Sequence, residues 1–216
     1  MAEIKVGLTQ FLDFTLKSSA AKTNFVKNLK SQPEYHPVFD YWKQLRETVI
    51  KFHKNELPFD CFETLVQTVD QKKKQNYIDV IKQYKKFIKN KEVSWFDPGK
   101  SHWLSDNLIV RSSPELGLLI NDEPHLIKLF FKGKKERIDK YNINSTLTLL
   151  NESTFSNKYN DVNYTVLNIQ KNKMYTNNTI NNDHLIALES EAHQLSYLWN
   201  KVVKGYRYLF QYLVHA

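Results

Sequence analysis

Four residues in the middle of the chain have the types that a metal-dependent nuclease needs: Glu115, Asp122, Glu123 and Lys128. Nucleases of the restriction-endonuclease type place one acid at the start of a strand and an acid-x-Lys on the next strand. Their carboxylates hold Mg²⁺, and the metal activates the attacking water. The order of the four residues therefore predicts, as one alternative, a diverged nuclease that uses Mg²⁺.

The spacing around Lys128 argues against an intact site of this kind. The residue two positions before Lys128 is Leu126, and the residue two before Lys132 is Phe130. Neither lysine has an acid on the same face of its strand, so an acid from the preceding turn would have to reach in. A lysine buried among apolar residues needs a partner. We therefore favour a structural ion pair between Glu115 and Lys128.

Two groups of basic residues predict binding to a polyanion. One crowds a helix and its start, the other follows a strand, and Tyr77, Tyr84, Phe130 and Tyr141 lie among them. If both groups share one face, they form a phosphate-tracking surface with aromatic platforms; on opposite sides they serve solubility. The predicted nucleic-acid-binding residues are Lys72, Lys73, Lys74, Lys82, Lys85, Lys86, Lys89, Lys132, Lys134, Lys135 and Arg137.

The other reactive residue types form no recognisable site. The seven histidines are scattered and show neither an HxH nor an HExxH spacing, so we predict no metal ligands among them. The single cysteine, Cys61, lies in an apolar helical pattern that predicts an inert thiol, and it excludes an internal disulfide. None of the five glycines lies in a phosphate-loop frame. We therefore predict no catalytic residue and no cofactor outside the nuclease alternative.

The N-terminal half has the periodicity of helices. Apolar residues recur at helical spacing over 9–31, from Pro37 to 52, from Pro58 to 69, and over 77–88. Prolines fit the first turn of a helix, where their missing N–H costs nothing. The turn signal at 97–99 ends this helical half.

The second half changes to a strand period. Leu116–Ile120 and Leu126–Phe131 predict one hairpin, and 164–169 with 173–176 predict another, with a short helix over 143–151 between them. The stretch 151–163 is polar and predicts a surface loop. Residues 185–213 follow a 3-4-3-4 apolar rhythm. Their wide stripe favours a helix packed on its own domain, with a dimerisation helix as the alternative.

Three segments resemble a known family. They are 74–77 (KQNY), 114–118 (PELGL) and 125–132 (HLIKLFFK), and they are similar to an uncharacterised family of bacterial cytoplasmic proteins. The family segment reads Asn-Pro-Glu-Leu-Gly-Leu, an Asp-Gly-type turn, then Val/Ile-Lys-Leu-Tyr-Phe. This chain departs from it at Ser113, Glu123 and Phe130. The resemblance implies a bacterial or phage origin and carries no activity.

The composition limits the compartment and the kind of partner. The formal net charge is +8 and 41% of residues are hydrophobic, which predicts a folded basic protein. Lysine outnumbers arginine by 27 to 4 and there are 20 asparagines, a bias typical of an AT-rich genome. Arginine is the usual residue for bidentate phosphate and base contacts, so this bias weakens the nucleic-acid interpretation. We expect no membrane span and no secretory signal, and hence a cytoplasmic protein.

Together these patterns predict an α+β fold with a helical N-terminal half, a small antiparallel β-meander of two hairpins and a long C-terminal helix. The expected regions are 1–95, helical, and 96–216, α+β, joined in one compact unit. The leading function is a non-catalytic accessory protein that binds DNA or RNA, or a nucleoprotein complex, through its lysine-rich surfaces. The alternatives are the diverged nuclease and a module that docks on a protein partner, or dimerises, through 185–213.

Overall fold

The computed structural model describes residues 3–31, 40–132, 138–157, 159–176 and 179–202. The start of the predicted helix at Pro37, the end of the C-terminal helix beyond 202, and the basic residues Lys134, Lys135 and Arg137 lie outside these ranges. Helices and strands follow in the order β1 Ile4–Gly7, α1 Leu8–Thr15, α2 Ser19–Ser31, α3 Lys43–Lys54, α4 Asp60–Thr68, α5 Gln71–Ile88, β2 Val93–Phe96, β3 Ser101–Ser105, β4 Leu108–Arg111, β5 Leu116–Ile120, β6 Glu123–Phe130, α6 Asn144–Asn151, β7 Thr154–Phe155, β8 Asn163–Asn168, β9 Lys173–Thr176 and α7 Asn182–Lys201.

The α+β class is confirmed, but the β structure is larger than a meander of two hairpins. Within the described ranges the strands form a four-stranded sheet, β1-β4-β3-β7, and a five-stranded sheet, β2-β5-β6-β8-β9. Each sheet contains one parallel pair, β1 with β4 and β6 with β8. The predicted hairpins are the pairs β5–β6 and β8–β9, and β7 lies in the stretch predicted to be a loop.

Parallel pairing explains why short-range reasoning missed this arrangement. A parallel pair needs a crossover, and α6 is the helix between β6 and β8. β1 pairs with β4 across about a hundred residues, from Ile4 beside Leu108 to Gly7 beside Arg111. A strand of four residues whose partner is so remote carries no hairpin signal. β1 and β2 are therefore strands within the region 1–95 that was predicted to be helical.

The five-stranded sheet is covered on both faces. One face packs through Leu118, Ile127 and Leu129 against α3, α4 and α5, in a core that includes Tyr77 and Tyr84. The other face carries Phe130 and Val166 and packs against Leu12 of α1 and Leu147 of α6. Because side chains of β6 alternate between these faces, the even-numbered Lys128 points away from α5.

The C-terminal helix packs on its own chain along its described length. Leu188, Ala192 and Leu195 of α7 are buried in the core beside the four-stranded sheet. Lys22 of α2 bonds to Glu191 at 2.6 Å and to Gln194 at 2.8 Å, and Lys30 donates to the carbonyls of Trp199 and Val202. This packing agrees with the core interpretation of the broad stripe.

Among the residues that the structure describes, no helix combines the length and the apolar character needed to cross a bilayer.

Candidate nucleic-acid interface

Helix α5 is the element that presents the first group of lysines. It contains neither glycine nor proline, and the side chain of Asp70 caps its N-terminus by accepting the N–H of Lys72 at 2.7 Å. Its buried residues are Tyr77, Val80, Ile81, Tyr84 and Phe87, which recur every three or four positions. This stripe fixes the rotation of the helix, so the lysines between these positions face solvent.

Four exposed lysines form one patch, which we call the lysine face of α5: Lys82, Lys85 and Lys86 of the helix and Lys89, its C-cap residue. Lys82 lies three and four residues before Lys85 and Lys86, and Lys89 lies three and four residues after them. Side chains at these spacings are neighbours on a helix. The lysine face is about 10 Å long, at 1.5 Å per residue.

The lysine face forms no ion pair with the described part of the chain. None of its four members, and none of Lys72, Lys73 and Lys74, lies within ion-pair distance of a described carboxylate. The one acid within α5, Asp79, lies three residues before Lys82 and accepts a hydrogen bond from Gln75. Like charges at these spacings destabilise a helix by about 0.2–0.5 kcal/mol per pair. The helix therefore retains a repulsion that an external anion would relieve.

Two lysines of α5 contact aromatic rings instead of acids. The ammonium of Lys73 lies 5.2 Å from the ring centre of Tyr41, and that of Lys85 lies 4.6 Å from the ring centre of Phe59. A cation on a ring face keeps its charge, and the ring does not neutralise it. These contacts orient the side chains and leave the positive potential in place.

The second basic group does not extend this surface in its described part. Lys128 is 4% exposed and pairs with Glu115, while Lys132 bonds to Asp13 of α1 at 2.6 Å. Both contacts lie on the face of the five-stranded sheet opposite to α5. Lys128 and Lys132 therefore do not share one face with the lysines of α5, as a continuous phosphate-tracking surface would require.

The predicted aromatic platforms are also missing from the interface. Tyr77 and Tyr84 are 0–1% exposed, and Phe130 is 4% exposed, because all three belong to the core. Tyr141 is 74% exposed, and the ammonium of Lys140 lies over its ring. Ile78 was predicted in the buried stripe of α5 but is 38% exposed, beside the lysine face four residues before Lys82. Stacking of bases is therefore not available to the buried aromatic residues Tyr77 and Tyr84 of α5.

Glu115 and Lys128 are in contact, as the nuclease hypothesis requires, but Asp122 and Glu123 do not lie beside them. Glu115 accepts bonds from the ammonium of Lys128 and, at 2.8 Å, from the N–H of Leu129. Glu123 lies opposite Ile120, five residues and about 17 Å along an extended strand from Lys128, and Asp122 lies in the turn beyond it. No group of three or more His, Cys, Asp or Glu that could hold a metal ion occurs among the described residues. This geometry supports the structural ion pair.

Comparisons with known proteins do not assign the chain to a family. No family model, no curated protein and no solved structure matches the chain. The resemblance in 74–77, 114–118 and 125–132 therefore stays a prediction.

Proposed function

We propose that this protein binds the phosphate backbone of duplex nucleic acid through the lysine face of α5, without catalysis and without reading the base sequence. The observation that carries the proposal is a set of four exposed lysines at helical neighbour spacing, none of which forms an ion pair with a described carboxylate. Phosphates are the anions that lysine binds as point charges in the absence of a fixed bidentate geometry.

The preference for a duplex follows from what the lysine face lacks. Proteins that bind single strands add aromatic side chains on which bases stack, and the aromatic residues of α5 are buried. Arginine, the side chain that most often reads guanine, does not occur in α5. A lysine-only face is suited to regularly spaced phosphates.

The number of lysines sets the expected salt dependence. Four phosphate contacts predict a slope of about −3.6 for log affinity against log salt on duplex DNA. The affinity should therefore fall on the order of 100-fold when salt is raised from about 50 to about 200 mM. This dependence is weaker than that of a surface built from both basic groups.

The test is fluorescence anisotropy of the full chain with labelled duplex DNA, duplex RNA and the separate strands, at both salt concentrations. The variant Lys82→Glu with Lys86→Glu should lose duplex binding. Its matched control is Lys51→Glu with Lys54→Glu, which makes the same charge change on the exposed side of α3. Equal loss in both variants would show that only net charge matters, and equal binding by the α5 variant and the unaltered protein would contradict the proposal.

A second arm of the same experiment addresses the nuclease alternative. Strands shortened only when Mg²⁺ is present, and left intact by the double variant Glu115→Gln with Lys128→Met, would replace binding by metal-dependent cleavage as the function. Strands left intact with and without Mg²⁺ agree with the proposal.

A further inference from the structure

A cavity of about 310 Å³ lies where the ends of α3 and α5 meet the edge strand β2. Its lining includes Phe52, His53, Lys91, Ser94 and Trp95. This volume lies at the lower end of the range for small-molecule sites, which are mostly apolar with a few directed polar groups. The lining combines the aromatic side chains of Phe52 and Trp95 with the polar groups of His53, Lys91 and Ser94, and none of these residues belongs to the lysine face of α5.

His53 supplies a hydrogen-bond donor that no described residue uses. Its Nε2 lies 2.5 Å from the hydroxyl of Tyr84, and His53 is the only described partner of this fully buried hydroxyl. A buried hydroxyl hydrogen needs an acceptor, so we assign Tyr84 as the donor and Nε2 as the acceptor. Burial lowers the pKa of His53 to about 4, so the ring is neutral and its proton is on Nδ1.

Lys91 supplies a cation without a described acid. Its ammonium donates to the carbonyl of Phe87 and lies 4.0 Å from the ring centre of that residue. An ammonium has three donors, so these contacts do not satisfy it. Burial lowers the pKa of Lys91 from its ordinary value, which indicates an ammonium that gains from an anion.

We propose that this cavity binds a small planar aromatic molecule that carries one carboxylate. The carboxylate pairs with the ammonium of Lys91 and accepts from Nδ1 of His53, and the ring lies against Phe52 and Trp95. Both aromatic side chains are half-buried at the cavity, where a planar ligand adds apolar contact.

The charges of the lining select a monoanion over a dianion. One ammonium balances one negative charge, and His53 is neutral. The exposed carboxylate of Glu56 lines the same cavity. A phosphate dianion would therefore carry one uncompensated charge toward a like charge. Glu56 lies two residues after the end of α3 and has a φ of 49°, in the left-handed region.

The experiment is isothermal titration calorimetry of the full chain with three probes of one shape: 2-naphthoate, 2-naphthamide and 2-naphthyl phosphate. Naphthoate should bind at least about tenfold more tightly than the amide, as expected for a charge-assisted hydrogen bond. Lys91→Met should reduce naphthoate binding to the level of the amide. The matched control, Lys89→Met, removes an exposed lysine two residues away and should change nothing.

A second variant keeps the test decisive if Lys91→Met does not fold. Ser94→Phe places a large ring at the cavity in an edge strand without changing any charge, and it should abolish binding of all three probes. The proposal is overturned if naphthoate and naphthamide bind equally, if naphthyl phosphate binds best, or if no probe releases heat at millimolar concentration. Because the lysine face of α5 is not involved, loss of duplex binding in its variants leaves these titrations unchanged.

Discussion

At the scale of single residues, the stability of the protein depends on the ion pair between Glu115 and Lys128. The side chain of Lys128 is 5% exposed and that of Glu115 is 15% exposed. The carboxylate also holds the N–H of Leu129. Water cannot replace either partner, so each charge is tolerable only while the other is present.

We predict that Lys128→Met destabilises the protein by about 3–5 kcal/mol, because it leaves the carboxylate of Glu115 buried without a cation. The double variant Glu115→Gln with Lys128→Met should recover most of this loss, since Gln still accepts the N–H of Leu129. Urea unfolding measures both effects. As a control, Lys43→Met breaks an exposed pair with Glu47 and should cost at most about 1 kcal/mol. A double variant as unstable as Lys128→Met would contradict the ion-pair interpretation.

His53 makes stability depend on pH in a direction that its burial determines. Its folded pKa of about 4 lies below the ordinary value of 6.5, so the unfolded chain binds the proton more tightly. The contribution of neutral His53 to the free energy of unfolding is complete above pH 6.5 and is lost as the pH falls toward 4. The loss reaches about 3 kcal/mol below the folded pKa.

We predict that His53→Gln removes this part of the pH dependence while retaining an acceptor for the hydroxyl of Tyr84. The measurement is the free energy of unfolding of the unaltered protein and of His53→Gln, from neutral pH to about pH 4.5. The difference between the two free energies should change progressively over this range. His102→Gln, an exposed position on β3, serves as the control. A constant difference between His53→Gln and the unaltered protein across this range would refute the prediction.

At the scale of the elements, the contact between β2 and β5 depends on one missing side chain. Gly117 lies opposite Phe96, and a Cβ at Gly117 would stand 2.4 Å from the carbonyl oxygen of Phe96 and 2.8 Å from its ring. Backbone atoms cannot yield as a flexible side chain can. Glycine at this position therefore allows β2 to join the sheet, and β2 in turn forms one wall of the cavity.

We predict that Gly117→Ala destabilises the protein by about 1–3 kcal/mol through displacement of β2. It should also weaken naphthoate binding, since Ser94 and Trp95 belong to β2. The matched control is Gly7→Ala, where the new Cβ would meet only the side-chain oxygen of Gln10 at 3.7 Å. Thermal unfolding that ranks the two variants in the opposite order would exclude this role for Gly117.

Helix α5 has two different sides. Its apolar stripe covers the five-stranded sheet, and the opposite side holds the lysine face. The stripe determines the direction of the lysines because both are attached to the same rigid backbone. The proposed binding of a duplex by this face would thus require no change in the core beneath it.

At the scale of the whole molecule, the two halves of the chain are interleaved. β1, near the N-terminus, completes the sheet that contains β3, β4 and β7, and α2 packs against α7. The helices α3, α4 and α5 cover the sheet formed by later strands. Residues on both sides of position 95 therefore contribute to each of the three described cores.

The whole-molecule arrangement also decides which charges are available to a partner. The net charge of +8 is a property of composition, but Lys22, Lys128 and Lys132 all contact acids of the same chain. The lysines of α5 form no ion pair with a described acid, so their charges are among those available to a partner.

The sequence by itself determined the features that depend on near neighbours. Helical spacing located the helix α5, and the alternation around Lys128 located β6 and its hairpin partner β5. The isolation of Lys128 among apolar residues was enough to predict its pairing with Glu115. These inferences succeeded because periodicity and a short turn specify local structure within a few residues.

Only the tertiary structure decided what depends on remote parts of the chain. It paired β1 with β4, buried Tyr77 and Tyr84, and set Lys128 and Lys132 on the face of the five-stranded sheet opposite to α5. It also brought His53, Ser94 and Lys91 around one cavity. Positions far apart in sequence become neighbours through the packing of whole elements, and no local pattern of residue types records which elements will meet.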